Sequence, residues 1–334
     1  MSEYILEVNG LEQRFNLAKR LKLRNGRLVS ENRVVHAVNQ ISFAVKRGET
    51  FSLVGESGCG KSTTARMAVR LQQPAGGKIR FDGDDITMLK YKELIPYRKH
   101  MQMIFQDPYA SLNPRKTVLE TICEPMLFHK LANTKAQAAE KAMFLLEKVG
   151  IRPEQAARYP HQFSGGQRQR IGVARALAVE PKLVVADEPV SALDVSIQAQ
   201  ILNLLMDIQD EFGLAYLFIA HDLSVVKHIS SRVGVMYLGK IVEQGGKAEI
   251  FSAPKHPYTL ALLNAVPKIQ DGKLESAAQI SGEIPSPINL PSGCFFHDRC
   301  PRCMDICRHA MPGEVEVSPG HKVLCHLFSD KKTS

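Results

Sequence analysis

A glycine-rich segment near residue 55 has the residue types and spacing of a phosphate-binding loop. Residues 55–62 read Gly-Glu-Ser-Gly-Cys-Gly-Lys-Ser and fit the pattern G-x-x-x-x-G-K-[ST]. The loop follows an apolar run at 51–54 and precedes a helix-compatible stretch at 63–71, which is the context that the pattern requires. Glycines let backbone N–H groups turn towards phosphate oxygens, and the start of a helix adds partial positive charge. We expect Lys61 to contact the β- and γ-phosphates of a nucleotide and Ser62 to hold Mg²⁺.

A second segment supplies the carboxylates that this chemistry needs. Residues 183–188 read Leu-Val-Val-Ala-Asp-Glu, an apolar strand that ends in two acids. A buried strand that brings an Asp to Mg²⁺ is the usual companion of a phosphate loop, so we expect Asp187 near the metal, through a water molecule. Glu188 can then act as the general base that polarises the attacking water. Taken alone, this segment could equally be a strand that ends in a solvated turn.

Five of the seven cysteines lie close together near the end of the chain, at positions 294, 300, 303, 307 and 325. Clustered cysteines in a cytosolic protein indicate metal binding before disulfides. Four of them have the spacing C-x5-C-x6-C-x17-C, with Cys303 as an extra thiol inside the second interval. Thiolates select zinc, copper or iron–sulfur centres. A zinc site that includes Cys303 and an iron–sulfur site that omits it are both open on spacing alone.

The elements around these residues alternate between two patterns. Short apolar runs predict strands at residues 50–54, 101–105, 183–186, 215–220 and 233–237. Apolar residues at helical spacing predict helices at residues 135–149, 167–179 and 197–212. Strands that alternate with helices indicate an α/β fold in which helices cover a sheet.

Composition also divides the chain into regions. Residues 88–162 read as mostly helical between strand-bearing regions, and we interpret them as a helical insertion. After residue 265 prolines accumulate and long apolar runs stop. We therefore expect a main domain of residues 1–265 and a small Cys-bearing C-terminal extension of residues 266–334.

The overall composition is that of an ordinary globular chain. Its 334 residues are 44% hydrophobic and 23% charged, and no apolar run approaches the ~18–20 residues of a membrane-spanning helix. The N-terminus lacks the features of a secretory signal, so we expect a cytoplasmic chain that reaches a membrane only through a partner. The net charge of +9 is compatible with nucleic acid, an anionic membrane or phosphorylated ligands. We interpret the densest basic segment, residues 14–33, as a solvated, mobile hairpin rather than a nucleic-acid arm.

A third segment connects these features to a known family. Residues 163–167, Phe-Ser-Gly-Gly-Gln, resemble the signature sequence of ATP-binding-cassette (ABC) ATPases, with Phe163 where Leu is more usual. Other short segments resemble further elements of that family, in the family's order over about residues 3–250. These are an adenine-stacking aromatic (Phe15), a Q-loop glutamine (Gln106), a D-loop (residues 191–194) and a switch histidine (His221). The resemblance implies a P-loop NTPase of the ABC type with a helical subdomain.

The resemblance also implies how ATP and Mg²⁺ would be bound. One subunit would bind ATP through Phe15, Ser57, Gly58, Cys59, Gly60, Lys61, Ser62 and Thr63. Its partner would close on the γ-phosphate with Ser164, Gly165, Gly166, Gln167 and Asp194. Catalysis would belong to Glu188, His221 and Gln106, and Mg²⁺ would be held by Ser62, Gln106 and Asp187. Since both subunits complete each site, the active unit would be a dimer.

The end of the chain narrows the family. The segments His256-Pro257-Tyr258-Thr259 and 282–287, with the cysteines, resemble the C-terminal extension of oligopeptide and dipeptide importer ATPases, and most resemble their second, F-type, ATPase subunit. Some of these ATPases hold a 4Fe–4S cluster in this extension, so the resemblance favours a cluster over Zn²⁺. Its ligands would be Cys294, Cys300, Cys307 and Cys325.

This narrower resemblance implies an assembly at the cytoplasmic face of the bacterial inner membrane. The partners would be a second ATPase subunit in a heterodimer, two integral membrane permease subunits and a periplasmic or extracellular solute-binding protein, with no nucleic acid. A soluble ABC ATPase that acts on nucleic acid or ribosomes is the main alternative, although such proteins usually carry two cassettes in one chain. An exporter ATPase is a third, although those cassettes are commonly fused to a membrane domain.

Overall fold

The computed structural model describes residues 2–17, 20–24, 27–31, 33–109, 111–265, 268–270, 273–275 and 282–329. Its strands are β1 (Tyr4–Asn16), β2 (Arg20–Arg24), β3 (Arg27–Glu31), β4 (Val34–Lys46), β5 (Thr50–Val54), β6 (Gly76–Phe81), β7 (Asp84–Asp85), β8 (Met101–Ile104), β9 (Leu183–Asp187), β10 (Ala215–Ala220), β11 (Arg232–Tyr237), β12 (Lys240–Gly246), β13 (Lys268–Gln270), β14 (Lys273–Glu275), β15 (Glu314–Ser318) and β16 (His321–Leu324). Its α-helices are α1 (Lys61–Ala68), α2 (Tyr91–Arg98), α3 (Val118–Phe128), α4 (Lys135–Lys148), α5 (Gly165–Leu177), α6 (Val195–Phe212), α7 (Leu223–Ile229), α8 (Lys247–Ser252), α9 (Pro257–Asn264) and α10 (Asp305–His309).

The chain divides into two compact units. The first unit comprises Met1–Leu6, Ala44–Phe51 and Phe81–Ala220. The second unit comprises Glu7–Phe43, Ser52–Arg80 and His221–Ser334. Strands β1, β4, β5 and β6 contribute residues to both units.

The first unit is built around parallel strands. Strand β9 lies between β8 and β10, with Val185 opposite Met103 on one side and Leu217 on the other. Every residue of β9 and β10 is buried, which explains why both strands read as continuous apolar runs in the sequence. Helix α3 packs on α4, and both pack on α5. The predicted insertion at 88–162 contains these first two helices and α2, and it also contains β8, where a strand was predicted.

The second unit contains an antiparallel set of strands in the order β15, β16, β12, β11, with β5 beside β11. Strand β12 pairs with β16 through Glu243 opposite Val323 and Gln244 opposite Lys322. Strands β15 and β16 near the end of the chain therefore extend the sheet formed by residues 232–246. The boundary expected at residue 265 stays a prediction.

Strands β2 and β3 pair antiparallel, as expected of a hairpin in the basic segment 14–33. The side chains of residues 18–32 lie outside the described part, and the expected solvation and mobility of this segment stay predictions.

The predicted elements match the observed ones closely where the apolar runs are continuous. Strands β5 and β10 have the predicted bounds, and α4, α5 and α6 begin or end within two residues of the predicted limits. The 13-residue strands β1 and β4 were not predicted, because they have no continuous apolar run: their buried and more exposed residues largely alternate. Among the helices of the described residues, none has both the length and the apolar character needed to cross a bilayer.

Candidate functional site

The phosphate loop of the second unit leads from β5 into α1, as the sequence predicted. The ammonium of Lys61 is buried and donates to the carbonyl oxygens of Gly55 at 2.7 Å and Glu56 at 3.0 Å. Gly60, the N-cap of α1, has φ 105°, and a Cβ there would lie 2.2 Å from the carbonyl oxygen of Ala37. Only glycine fits this position, because the backbone is left-handed and Ala37 in strand β4 is too close for a side chain.

The remaining loop residues present polar groups at the start of α1. Ser57 and Gly58 are exposed, and Ser62 and Thr63 are half-buried in the first helical turn. Cys59 is buried, and burial raises the pKa of its thiol despite the neighbouring ammonium of Lys61. A hydroxyl at the N-terminus of α1 is the type of ligand that Mg²⁺ takes in phosphate sites. The loop therefore has the donors that its motif requires.

The first unit holds the two acids at the end of β9. Asp187 is only 2% exposed, and Glu188 follows it with φ 46° in the left-handed region. The backbone N–H of Glu188 donates to the carbonyl oxygen of Ile219 at 3.0 Å, and its own carbonyl oxygen accepts from the Ser191 hydroxyl at 3.0 Å. The amide Nε2 of Gln106 donates to the carboxylate of Glu188 at 3.2 Å. The structure thus brings together two of the three predicted catalytic residues.

The predicted signature forms the start of α5 in the first unit. Ser164 is the N-cap: its hydroxyl accepts from the backbone N–H of Gln167 at 3.3 Å, and the Gln167 side chain accepts from the backbone N–H of Ser164 at 3.0 Å. This reciprocal capping box fixes the helix start. No acidic residue lies in the first turn, so its partial positive charge is not offset there. Phe163, which replaces the more usual Leu, is buried and thus fills an apolar position in this fold.

The glycines of the signature lie against the start of α6. A Cβ on Gly165 would lie 3.5 Å from Leu193 Cδ2, and a Cβ on Gly166 would lie 2.6 Å from Ile197 Cγ2. Asp194, the N-cap of α6, is exposed. The structure therefore places the predicted signature and D-loop side by side in the first unit.

The remaining predicted site residues are Phe15, His221 and the Mg²⁺ ligands, and they are divided between the two units. Phe15 lies near the end of β1 with 38% of its surface exposed, and His221 is exposed directly after β10. Both belong to the second unit, as do the loop residues Ser57 to Thr63. Within the predicted Mg²⁺ set, Ser62 belongs to the second unit, whereas Gln106 and Asp187 belong to the first.

The cysteines near the end of the chain converge in the second unit. Cys294 donates its backbone N–H to the carbonyl oxygen of Cys307 at 2.8 Å, and Cys307 and Cys325 are buried. Burial first, and then the thiols of Cys307, Cys325 and Cys300, together raise the pKa of Cys294 to about 12. The pKa of Cys325 is likewise raised by burial and then by Cys300 and Cys307.

Cys303 lies beside this group: its backbone N–H donates to the carbonyl oxygen of Cys300 at 3.2 Å, and its thiol, after burial, raises the pKa of Cys300. Burial is the first cause that raises the pKa of Cys303, and among the other cysteines only Cys307 contributes. Its thiol donates to the carbonyl oxygen of Met304 at 3.5 Å. Throughout the described part of the chain, no three His, Cys, Asp or Glu side chains are arranged to hold a metal ion.

The sequence analysis missed the side chains that hold the phosphate loop from the far end of the chain. The carboxylate of Glu56 pairs with Arg299, and its backbone N–H donates to the hydroxyl of Tyr258. Tyr258 belongs to the noted His-Pro-Tyr segment, but no spacing rule connects it or Arg299 to residue 56.

Comparisons with known proteins identify the family that this chain is similar to. Residues 38–191 match the family model described as ABC transporter, and residues 242–307 match the one described as the C-terminal region of oligopeptide/dipeptide transporters. The chain is 51% identical to the oligopeptide transport ATP-binding protein AppF of Bacillus subtilis, over 98% of each chain. It is 50% identical to a putative oligopeptide transport ATP-binding protein of the same organism, YkfD, over 98% of this chain and 97% of the relative.

Solved structures give the same fold. A dimeric ATP-binding cassette in a post-hydrolysis state, bound to ADP and Pi, is 26% identical to this chain with a TM-score of 0.64. The similarity covers 72% of this chain and 98% of that cassette.

Proposed function

This chain belongs to the ABC transporter ATP-binding proteins that carry the oligopeptide/dipeptide transporter C-terminal region, and on that premise we propose that it hydrolyses ATP to drive the uptake of di- or oligopeptides. The observation that carries the proposal is the contact between Gln106 and the Glu188 carboxylate at the end of a buried strand. Whole-length similarity to peptide transport proteins supports the choice of solute class.

In this proposal Glu188 is the general base that accepts the proton of the attacking water. The amide of Gln106 orients that carboxylate, and the imidazole of His221 stabilises the charge that develops on the γ-phosphate. Phe15 stacks on the adenine, while the amides of the loop residues Ser57, Gly58, Cys59, Gly60 and Thr63 receive the phosphates.

The proposed metal ligands fit Mg²⁺ chemically. Ser62, Gln106 and Asp187 offer hydroxyl, amide and carboxylate oxygens, the hard ligands that this cation prefers. When bound, Mg²⁺ supplies charge that stabilises the phosphoryl group during transfer. Lys61 is already held at the loop by two carbonyl oxygens, which directs its ammonium to the place where phosphates are received.

We propose that Ser164, Gly165, Gly166, Gln167 and Asp194 serve the ATP site of a partner ATPase subunit. The uncompensated N-terminus of α5 suits a γ-phosphate that arrives from outside the chain. The partner would be a second, different ATPase. Two permease subunits would dock on the helical region 88–162, and a solute-binding protein would deliver the peptide. The chain would then be a peripheral protein at the cytoplasmic face of the membrane.

We further propose that Cys294, Cys300, Cys307 and Cys325 hold a 4Fe–4S cluster within a C-terminal extension of residues 266–334. Burial and neighbouring thiols raise the pKa values of Cys294 and Cys325, with Cys300 and Cys307 among the neighbours in both cases, which supports a shared site. A single Zn²⁺ at about 2.3 Å from each sulfur would need thiolates about 3.8 Å apart. A cluster places iron and sulfide atoms between its ligands and so would hold the four sulfurs farther apart than a single ion does.

Anaerobic purification tests the cluster. We expect a brown protein that absorbs near about 400 nm and carries about four irons per chain. Cys303→Ser should keep the colour and Cys300→Ser should lose it. A colourless protein with one zinc per chain would instead support the rival site that includes Cys303.

Purification from membranes tests the transport function against the alternative of a nucleic-acid ATPase. The tagged full-length chain should co-purify with integral membrane subunits, and the complex should hydrolyse ATP. Recovery free of membrane subunits, together with ATP hydrolysis stimulated by DNA or RNA and weakened steeply by salt, would favour the alternative.

A further inference from the structure

Glu56, the second residue of the phosphate loop, has every polar group engaged within the second unit. Its carboxylate accepts two N–H groups of Arg299, at 2.8 Å and 2.9 Å. Its backbone N–H donates to the hydroxyl of Tyr258 at 3.0 Å, and its carbonyl oxygen accepts from Lys61 Nζ at 3.0 Å. Two of these partners come from the C-terminal part of the chain.

The side chain of Arg299 is itself held in place by burial and by aromatic rings. Its side chain is only 4% exposed, and its guanidinium lies over the rings of Tyr237 and Phe296 at 5.7 Å and 5.9 Å. A paired, parallel contact between a guanidinium and a carboxylate fixes both the distance and the plane of the two groups. The paired contact with a buried guanidinium therefore fixes the position of the Glu56 carboxylate, which a mobile surface cation would not do.

Tyr258 is held from a second direction. It is buried, and its ring packs against Tyr237 at 4.7 Å and Phe296 at 5.3 Å between centroids. Its backbone N–H donates to Nδ1 of His256 at 3.0 Å, and the backbone N–H of His256 donates to the buried carboxylate of Glu243 in β12 at 3.0 Å. The hydroxyl that reaches Glu56 is thus anchored through α9 to the sheet.

We propose that Arg299 and Tyr258 are positioning residues for nucleotide binding, through which the C-terminal region sets the conformation and the charge of the phosphate loop. This inference rests on the proposed ATPase function. Arg299 neutralises a carboxylate that sits on the very loop that receives phosphates and would otherwise repel them. Tyr258 fixes the backbone of the same residue.

The two roles of Arg299 lead to an unusual expectation for substitutions. Removing Arg299 alone leaves Glu56 as an uncompensated negative charge on the loop. Removing the Glu56 charge as well abolishes that repulsion, and replacing both members of a buried ion pair by neutral groups is often well tolerated. The double variant should therefore bind ATP better than the Arg299 variant.

The test measures the dissociation constant of ATP for the full-length chain in four forms: wild type, Arg299→Met, Glu56→Gln with Arg299→Met, and Lys322→Met. Lys322 forms an exposed ion pair with Glu314 in the same C-terminal region and serves as the matched control. We expect Arg299→Met to weaken ATP binding about tenfold, the double variant to recover to within about threefold of wild type, and the control to match wild type. The deficit of Arg299→Met should shrink between about 0.05 M and about 0.5 M salt, because salt screens the repulsion.

A second measurement, the rate at which Cys59 is alkylated, reports on the conformation of the phosphate loop. It tests the proposal even if Arg299→Met does not fold. In Arg299→Lys and Tyr258→Phe, alkylation of the buried thiol of Cys59 should become faster, while Cys123, which lies in the first unit, should react at the wild-type rate.

The inference is overturned if Arg299→Met binds ATP as wild type does, if the double variant binds no better than Arg299→Met at every salt concentration, or if Cys59 labelling is unchanged. Failure of the wild-type chain to bind ATP at all would instead refute the proposed function.

Discussion

At the scale of single residues, the chemistry depends on where the backbone holds Glu188. Its φ of 46° is uncommon for a residue with a side chain and is maintained by hydrogen bonds to Ile219 and from Ser191. This turn aims the carboxylate away from the buried strand and towards Gln106. A group held this firmly needs little reorganisation when it takes a proton.

Glu188→Gln tests this role. The amide keeps the size of the side chain and can still accept from Gln106, but it cannot accept a proton from water, so turnover should fall about 10²–10⁴-fold. ATP binding should persist, and the chain should accumulate in an ATP-bound dimer with its partner ATPase subunit, measured by size-exclusion chromatography of the two subunits together. Glu180→Gln, which changes an exposed carboxylate of the same unit, is the control. Near-normal turnover in Glu188→Gln would remove this residue from the role of base.

Residue spacing in the sequence identified the loop, the acidic strand end and the signature because each motif is local. It could not identify Arg299 as the partner of Glu56, since 243 positions separate the two. Charged residues are common along the chain, and only the fold shows which of them meet. The pairing of Gln106 with Glu188 was within reach, because both follow predicted strands that proved to be parallel neighbours.

At the scale of elements, α5 and α6 define the signature through close packing. The capping box of Ser164 and Gln167 fixes the first turn of α5, and the lack of a side chain at Gly166 allows α6 to approach at Ile197. A side chain at position 166 is therefore excluded by packing within this chain, and the close approach of the phosphate that we propose there would exclude it as well.

Gly166→Ala and Gly172→Ala form a matched pair in one helix. A methyl group at 166 would meet Ile197, at a cost of about 1–3 kcal/mol, whereas nothing lies within 4 Å of the corresponding atom at 172. Hydrolysis by the assembled transporter should fall at least about tenfold for the first variant and stay within about twofold for the second. ATP binding by the separate subunit should survive in both. Loss of that binding in Gly166→Ala alone would show that the signature does not serve a partner.

Helix α9 begins at a histidine that cannot charge without cost. Burial lowers the pKa of His256 to about 3, from about 6.5 in an unfolded chain. Between these values the unfolded state binds the extra proton, so stability is present above pH 6.5 and is lost as the pH falls towards 3. Protonation of this group changes the free energy of unfolding by about 1.4 kcal/mol per pH unit in this range.

His256→Asn isolates that contribution. Asn can cap α9 and accept the Tyr258 N–H, but it does not titrate. The free energy of unfolding is measured with urea at several pH values from about 6.5 to 4.5. Its slope against pH should be smaller in the variant, by the amount that corresponds to about one proton. Equal slopes in both proteins would mean that His256 is accessible to protons in the folded chain.

The strands predicted from sequence were those whose residues are almost all buried. Strands β9 and β10 show this as unbroken apolar runs. Strands β15 and β16 alternate between more and less buried residues and lie in a polar, proline-containing region, so no run marked them. Their place in the sheet depends on pairing with β12, nearly 80 residues earlier in the chain, for example Glu243 with Val323.

At the scale of the whole molecule, the C-terminal region cannot be treated as an appendage. Its strands continue the sheet of β11 and β12, and its Arg299 is paired with the phosphate loop. The segment that matches the peptide-transporter C-terminal region contains Arg299, and the segment that matches the ABC transporter model contains the phosphate loop. The ion pair between Arg299 and Glu56 joins these two segments within the second unit. This arrangement links the proposed transport role to the proposed ATP chemistry.

The central claim, that ATP hydrolysis by this chain drives peptide uptake, is tested most directly by a transport measurement. The chain is assembled with its permease and ATPase partners in lipid vesicles, with solute-binding protein on one side and ATP on the other, and the accumulation of labelled di- and oligopeptides is measured. We predict accumulation that requires ATP and is abolished by Glu188→Gln but not by Glu180→Gln. Peptide accumulation that is equal with wild type and Glu188→Gln, or ATP hydrolysis by the wild-type assembly without any accumulation of peptide, would contradict the account.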